Sequence, residues 1–168
     1  MASGNPVVQI LEVMLPGSTF PELKTRTGGS TPAERVIIHS FDAATAEYLD
    51  FKCLLLGYGG GGLTFTCPWS AASAITGGVR WGVAIRRMQD DIEDIDTAQT
   101  YDFNEVTDTT ASASGELSYP TITFTDGADM DSWANGEIAI VRVYRNVSHA
   151  GDDMSGDGEL WDLSGKET

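Results

Sequence analysis

LDFKCLLLGYGGGGLTFTCPWSAASAITGGVRWGVAIRRM, residues 49–88, decides the fold. Leu49, Phe51, Cys53 and Leu55 alternate with Asp50, Lys52 and Leu54. Leu63, Phe65, Cys67 and Trp69 alternate with Thr64, Thr66 and Pro68, and Val79, Trp81, Val83 and Ile85 with Arg80, Gly82, Ala84 and Arg86. A period of two marks a half-buried strand, because successive side chains point to opposite faces. The stretch predicts three antiparallel strands of one sheet, with the Gly59–Gly62 run turning the first into the second as a hairpin. Gly77-Gly78 marks the second turn.

That hairpin sets Cys53 opposite Cys67 on one sheet face. Two small buried hydrophobes account for them; a bridge between directly paired strands fits the disulfide torsions poorly. Two cysteines without CxxC or a nearby His do not make a metal site.

Outward from this centre, the same alternation recurs. Pro6–Pro16 reads as a first strand, with residues 1–33 otherwise an extended N-terminal arm and surface loop. Arg35–Phe41 is a short strand carrying His39, read as structural for want of a second His or Cys nearby. Residues 89–100 hold Asp90, Asp91, Glu93, Asp94 and Asp96, a solvated acidic loop without the punctuation of a calcium loop. Phe103–Thr110 is a weak edge strand, and Pro120 interrupts the start of Leu117–Thr125. Residues 127–136 form a loop anchored by Met130 and Trp133.

Glu137–Asn146 (EIAIVRVYRN) is the last long strand, with Ile138 and Ile140 opposed to Ala139, Val141 and Val143. Apolar residues on both faces need a second cover, by a loop or another subunit. Ile138, Ile140, Tyr144 and Trp133 are therefore the candidate interface residues. Glu159–Leu163 reads as a short final strand before a polar tail, residues 164–168. About eight or nine strands and no convincing helix predict a single all-β domain over residues 1–168, an antiparallel β-sandwich of jelly-roll type.

The chain has 168 residues, 41% of them hydrophobic, enough for one substantial core. With 25 acidic against 10 basic residues its formal net charge is −15, which repels nucleic acid phosphates and suits docking onto a basic surface. No apolar run reaches membrane-spanning length, and the N-terminus lacks the pattern of a secretory signal, so synthesis in a cytoplasm is expected. No GxSxG, no HExxH and no glycine-rich loop leading into a helix occurs, so neither enzyme nor cofactor is expected. Asp152, Asp153, Asp157 and Glu159 are a weak calcium candidate, more simply a polar turn. Trp69 and Trp81 alternate into the core, whereas Tyr58, Trp133, Tyr144 and Trp161 lie in or near loops, where aromatics stack on sugars or fill subunit contacts.

Several segments in order carry a resemblance. They are Phe20-Pro21-Glu22-Leu23, Phe41–Glu47, the Tyr-Gly stretch before Leu63-Thr64-Phe65, Trp69–Ser73 and Gly78–Val83. Thr121–Phe124 with Met130-Asp131, Val141–Asn146 and Gly156–Leu160 continue the series. In this order the chain resembles small virion structural proteins of tailed bacteriophages, over roughly residues 19–163. Four consecutive glycines and Trp161, where an aliphatic residue is usual, depart from the pattern. The resemblance implies a virion location, on the capsid surface or tail, and no catalytic residues. Its most specific implication is a capsid decoration protein, a homo-oligomer (a trimer from the threefold sites of a shell) docked on the major capsid protein or a tail protein. The alternative is a tail or fibre component with a carbohydrate-binding β-sandwich. Neither nucleic acid nor membrane is an expected partner.

Overall fold

Period-two alternation becomes twelve strands: β1 (Pro6–Met14), β2 (Glu22–Thr27), β3 (Arg35–Phe41), β4 (Tyr48–Leu55), β5 (Leu63–Thr66), β6 (Trp69–Ala71), β7 (Gly78–Met88), β8 (Asn104–Thr109), β9 (Thr121–Phe124), β10 (Ile138–Arg145), β11 (Gly158–Leu160) and β12 (Ser164–Glu167). The computed structural model describes residues 4–73 and 76–168. Its only helical element among these residues is one 3-10 turn, Ala128–Met130, so no helix is long and apolar enough to cross a membrane.

An eight-stranded sheet runs β8-β7-β10-β4-β1-β12-β5-β9, and a four-stranded sheet runs β2-β3-β11-β6. All strand pairings are antiparallel. The all-β antiparallel sandwich therefore holds, but with twelve strands divided eight and four. The large sheet curls until its two edges approach: Asn104 Nδ2 on β8 donates to the Thr123 carbonyl on β9 at 2.8 Å.

The core lies between the sheets. Leu49, Phe51, Phe65, Trp69, Trp81, Val83, Ile122 and Val141 are all buried, as their alternation predicts. Phe41 meets Trp81 edge-on at 5.1 Å, which joins the small sheet to the large one. Trp69 packs on Trp81 at 5.9 Å. Burial of such side chains contributes about 25 cal/mol per Å² of apolar surface.

The three central strands do share a sheet, but none is the neighbour of another. β10 separates β4 from β7, because its buried residues match both partners: Val141 lies opposite Phe51 and Ile85, Val143 opposite Leu49 and Val83. β1 and β12 come between β4 and β5. The glycine run is thus a long crossing and not a hairpin turn, and Cys53 faces Ile10 and Ala139 instead of Cys67. Both cysteines are free and buried. Their thiols are pushed up to about 12 by burial.

The glycines have another task. Gly59 and Gly61 donate their backbone N–H groups to Glu167 Oε1 at 2.8 and 3.2 Å, and Gly62, at φ +87°, would drive a Cβ into the Phe124 carbonyl. Glu167 is 4% exposed on β12, so residues 164–167 of the expected polar tail are a strand inside the sheet. Gly165 lets that strand press against Val8.

Three other expectations are corrected. The run from Leu63 to Trp69 splits at Pro68, and the chain passes there from the large sheet to the small one. Proline lacks the N–H a ladder needs. The expected loop of residues 18–33 contains β2, whose Lys24 and Arg26 replace the missing apolar alternation by reaching Asp157 and Glu159. The expected strand Glu159–Leu163 is β11, which ends at Leu160.

Candidate ligand-binding face

Alternation that buries one face of β4, β7 and β10 aims the other face outward, and register aligns it in rows. Tyr48 (β4) lies opposite Tyr144 (β10), which lies opposite Gly82 (β7), which lies opposite Glu105 (β8). The next row is Asp50, Arg142 and Ala84; the next is Lys52, Ile140 and Arg86. Small residues at Gly82 and Ala84 leave room for the long side chains beside them. A Cβ on Gly82 would overlap the Tyr144 ring.

Over the first row the aromatics gather. Tyr48 and Tyr144 stack at 5.6 Å with planes 3° apart, and Phe103 lies 4.1 Å from Tyr144. Tyr101 joins through Phe103 at 6.2 Å. Tyr144 donates its hydroxyl to Glu105, which also accepts from Arg80 Nε and Asn146 Nδ2, both at 2.9 Å. Burial alone would raise the Glu105 carboxyl; the hydrogen bonds from Tyr144, Arg80 and Asn146 outweigh it and hold the group below its ordinary value. Burial, and then the bond to Glu105, hold the Tyr144 phenol well above the ordinary tyrosine range.

In the second row Arg142 is fixed from two sides. Its Nε and Nη2 each donate to Asp50 at 2.7 Å, a bidentate pair. Its guanidinium lies 4.0 Å from the centre of the Tyr101 ring. Such a cation–π contact contributes about 0.5–1 kcal/mol where partly exposed. The bond to Asp50 raises the Arg142 pKa further.

The third row ties down the acidic loop. Arg86 Nη2 donates to the carbonyls of Asp94 and Thr97 at 2.7 and 3.3 Å. Residues 89–103 therefore fold back against the sheet, and a groove of about 360 Å³ opens between loop and face. Asp50, Arg86, Gln99, Tyr101, Ile140 and Arg142 are among its lining residues.

No family model matches this chain, and no curated protein matches it. Among solved structures, TmCBM61 in complex with beta-1,4-galactotriose aligns over 94% of this chain and 88% of its own, at 13% identity and a TM-score of 0.42. A likeness of that degree carries no argument about the ligand of this chain.

Of the four interface candidates, three share the outer face. Ile138 is 39% exposed, and Ile140 and Tyr144 are half-buried beside the groove and in the aromatic row. Trp133 is corrected: it is 2% exposed, its Nε1 donating to the Glu137 carbonyl at 2.9 Å. Positive φ at Asp131 and Ser132 turns the chain so that the indole is tucked inward. Tyr48, Asp50, Arg86, Tyr101, Phe103 and Arg142 escaped the sequence reading. The signal was present: Tyr48-x-Asp50 are the outward positions of a strand with a known inward face, and Tyr101-x-Phe103 follows the acidic run.

The calcium candidates are spent elsewhere. Asp152 pairs with Arg145, Asp153 accepts from the Gly78 N–H, Asp157 from Lys24 and Ser40, and Glu159 from Arg26 and Ser70. Among the described residues no group of three His, Cys, Asp or Glu is placed to hold a metal ion. His39 is half-buried on β3, and burial lowers its pKa.

Proposed function

We propose that this chain is a non-enzymatic structural protein of a tailed-phage virion, acting as a capsid decoration protein that docks on the shell. The observation that carries this reading is the apolar surface of β1 and the crossing that follows it. Leu11, Val13, Leu15 and Phe20 are 44%, 46%, 53% and 44% exposed, although Val13 lies opposite the core residue Phe51. Large apolar side chains left exposed along one ten-residue stretch of chain suit a protein-docking surface. A chain of net charge −15 needs such a locally neutral contact to hold a neighbour against repulsion. The sequence resemblance supports the virion setting. The site carboxylates support fixed binding over an acid–base cycle, since Asp50 is held by Arg142 and Glu105 by Arg80 and Asn146.

The test is mass spectrometry of purified virions of the encoding phage, with light scattering on the isolated protein. A stoichiometric virion component that self-associates, as a trimer, is the expected result. Absence from virions, with a monomer at about 10–100 µM, where weak interfaces still populate, overturns the reading. A second reading, a tail or fibre component with a carbohydrate-binding β-sandwich, is favoured by the aromatic row of Tyr48, Tyr144, Phe103 and Tyr101.

A further inference from the structure

A groove lies between the outer face of the large sheet and the loop of residues 95–101. Its volume of about 360 Å³ falls within the roughly 300–1,000 Å³ of small-molecule sites. Arg86 is 8% exposed, and its Nε is buried with no hydrogen-bond partner, although Nη2 is doubly engaged. A buried guanidinium N–H left without an acceptor carries the desolvation cost of a lost hydrogen bond. Arg142 stands ready beside it: Asp50 and the Tyr101 ring hold the guanidinium plane in place, so a ligand need not order it on binding.

Charge decides the ligand class. Two guanidinium groups, Arg86 and Arg142, and two carboxylates, Asp50 and Asp96, line the groove, which is balanced within a chain of net charge −15. A polyanion finds no local excess of positive charge here to offset repulsion by the rest of the surface. Planar charged groups and the Gln99 amide instead match vicinal hydroxyls, and the side of the Tyr101 ring adds an apolar wall. We propose that this groove binds a neutral saccharide, with Arg142, Asp50, Arg86 and Gln99 as hydroxyl partners and Tyr101 as an apolar side wall that also holds the Arg142 guanidinium in place. The inference rests on the carbohydrate-binding reading and assigns that reading a place and a ligand class.

The full chain is tested on an array of neutral oligosaccharides (glucans, galactans and mannans) beside acidic ones (alginate and hyaluronan fragments). The strongest binder is then titrated calorimetrically against the wild type, Tyr101→Ala and Gln99→Ala. Both substitutions lie in or beside the exposed loop, and circular dichroism verifies that each variant keeps its fold. Expected are binding of a neutral glycan, a loss of at least about tenfold in Tyr101→Ala and a several-fold loss in Gln99→Ala. Binding unchanged in both variants overturns this site and leaves the carbohydrate reading standing. No glycan bound at millimolar concentration overturns both, and preference for acidic glycans overturns the ligand class. None of these outcomes bears on the virion location, which the mass spectrometry reads separately.

Discussion

Arg145 and Asp152 form an ion pair inside the protein, 2.8 Å between Nη2 and Oδ1, with side chains 0% and 1% exposed. The guanidinium also donates to the carbonyls of Met154, Gly156 and Phe41, so one side chain ties the end of β10 to the 146–158 loop and to β3. Removing the carboxylate leaves a buried charge without its counter-ion. Asp152→Ala is expected to cost about 3–5 kcal/mol, as for breaking other buried pairs. Urea denaturation of the variant against wild type measures it; a loss below about 1 kcal/mol contradicts the assignment.

Gly82 owes its place to Tyr144. A methyl at residue 82 overlaps the ring of the cross-strand tyrosine. Gly82→Ala therefore displaces Tyr144 from Tyr48 and from Glu105, at an expected cost of about 1–3 kcal/mol. Near-ultraviolet circular dichroism reports the lost stacking and denaturation the lost stability. An unchanged aromatic signal would show that the row tolerates a side chain there.

The Glu105–Tyr144 contact makes stability depend on pH at both ends. The folded Glu105 pKa lies below its ordinary 4.5, so its contribution is complete above that value and is lost as pH falls through the lowered one. The folded Tyr144 pKa lies above its ordinary 10.0, so its contribution is complete below that value and fades as pH rises toward the raised one. Glu105→Gln is expected to flatten the acid limb of the urea midpoint plotted against pH. Parallel acid limbs for variant and wild type would contradict the contact.

Cys53 and Cys67 carry thiols pushed up to about 12 and no exposed surface. Thiolate is the reactive form, and at neutral pH its fraction in such thiols is negligible. Neither cysteine is expected to react with a thiol-specific reagent in the native protein, and both are expected to react in urea. Rapid labelling of the folded chain would contradict their burial.

The Phe65 ring is fully buried and meets Phe124 edge-on at 5.8 Å. Phe65→Ala is expected to cost about 3–5 kcal/mol in urea denaturation, the range for a buried phenylalanine. A loss under about 1 kcal/mol would place this side chain outside the tightly packed core.

Period two along Leu49–Leu55, Val79–Ile85 and Ile138–Tyr144 already specified that the fold is antiparallel β and which side chains face the core. That holds because alternation is a local property: it follows from the pleat of each strand alone. β2 and β12 were hidden for the same reason. Their stability comes from ladder hydrogen bonds and from partners such as Asp157 for Lys24 and the glycine loop for Glu167, none of which leaves an apolar period.

Strand order, and with it the site, was decided only in three dimensions. Ladder hydrogen bonds are chemically alike for any two strands, so β10 wins its place between β4 and β7 by matching both registers at once, across long sequence separations. That choice brings Tyr48 and Asp50 against Tyr144 and Arg142. Arg86 then pins the acidic loop and carries Tyr101 over Arg142. Local alternation was enough to specify the long apolar strands β4, β7 and β10, their buried faces and, with composition, the acidic surface. Which outward faces became neighbours was settled by the packing of distant segments, because a groove assembled from Asp50, Arg86, the 95–101 loop, Ile140 and Arg142 has no local pattern to betray it.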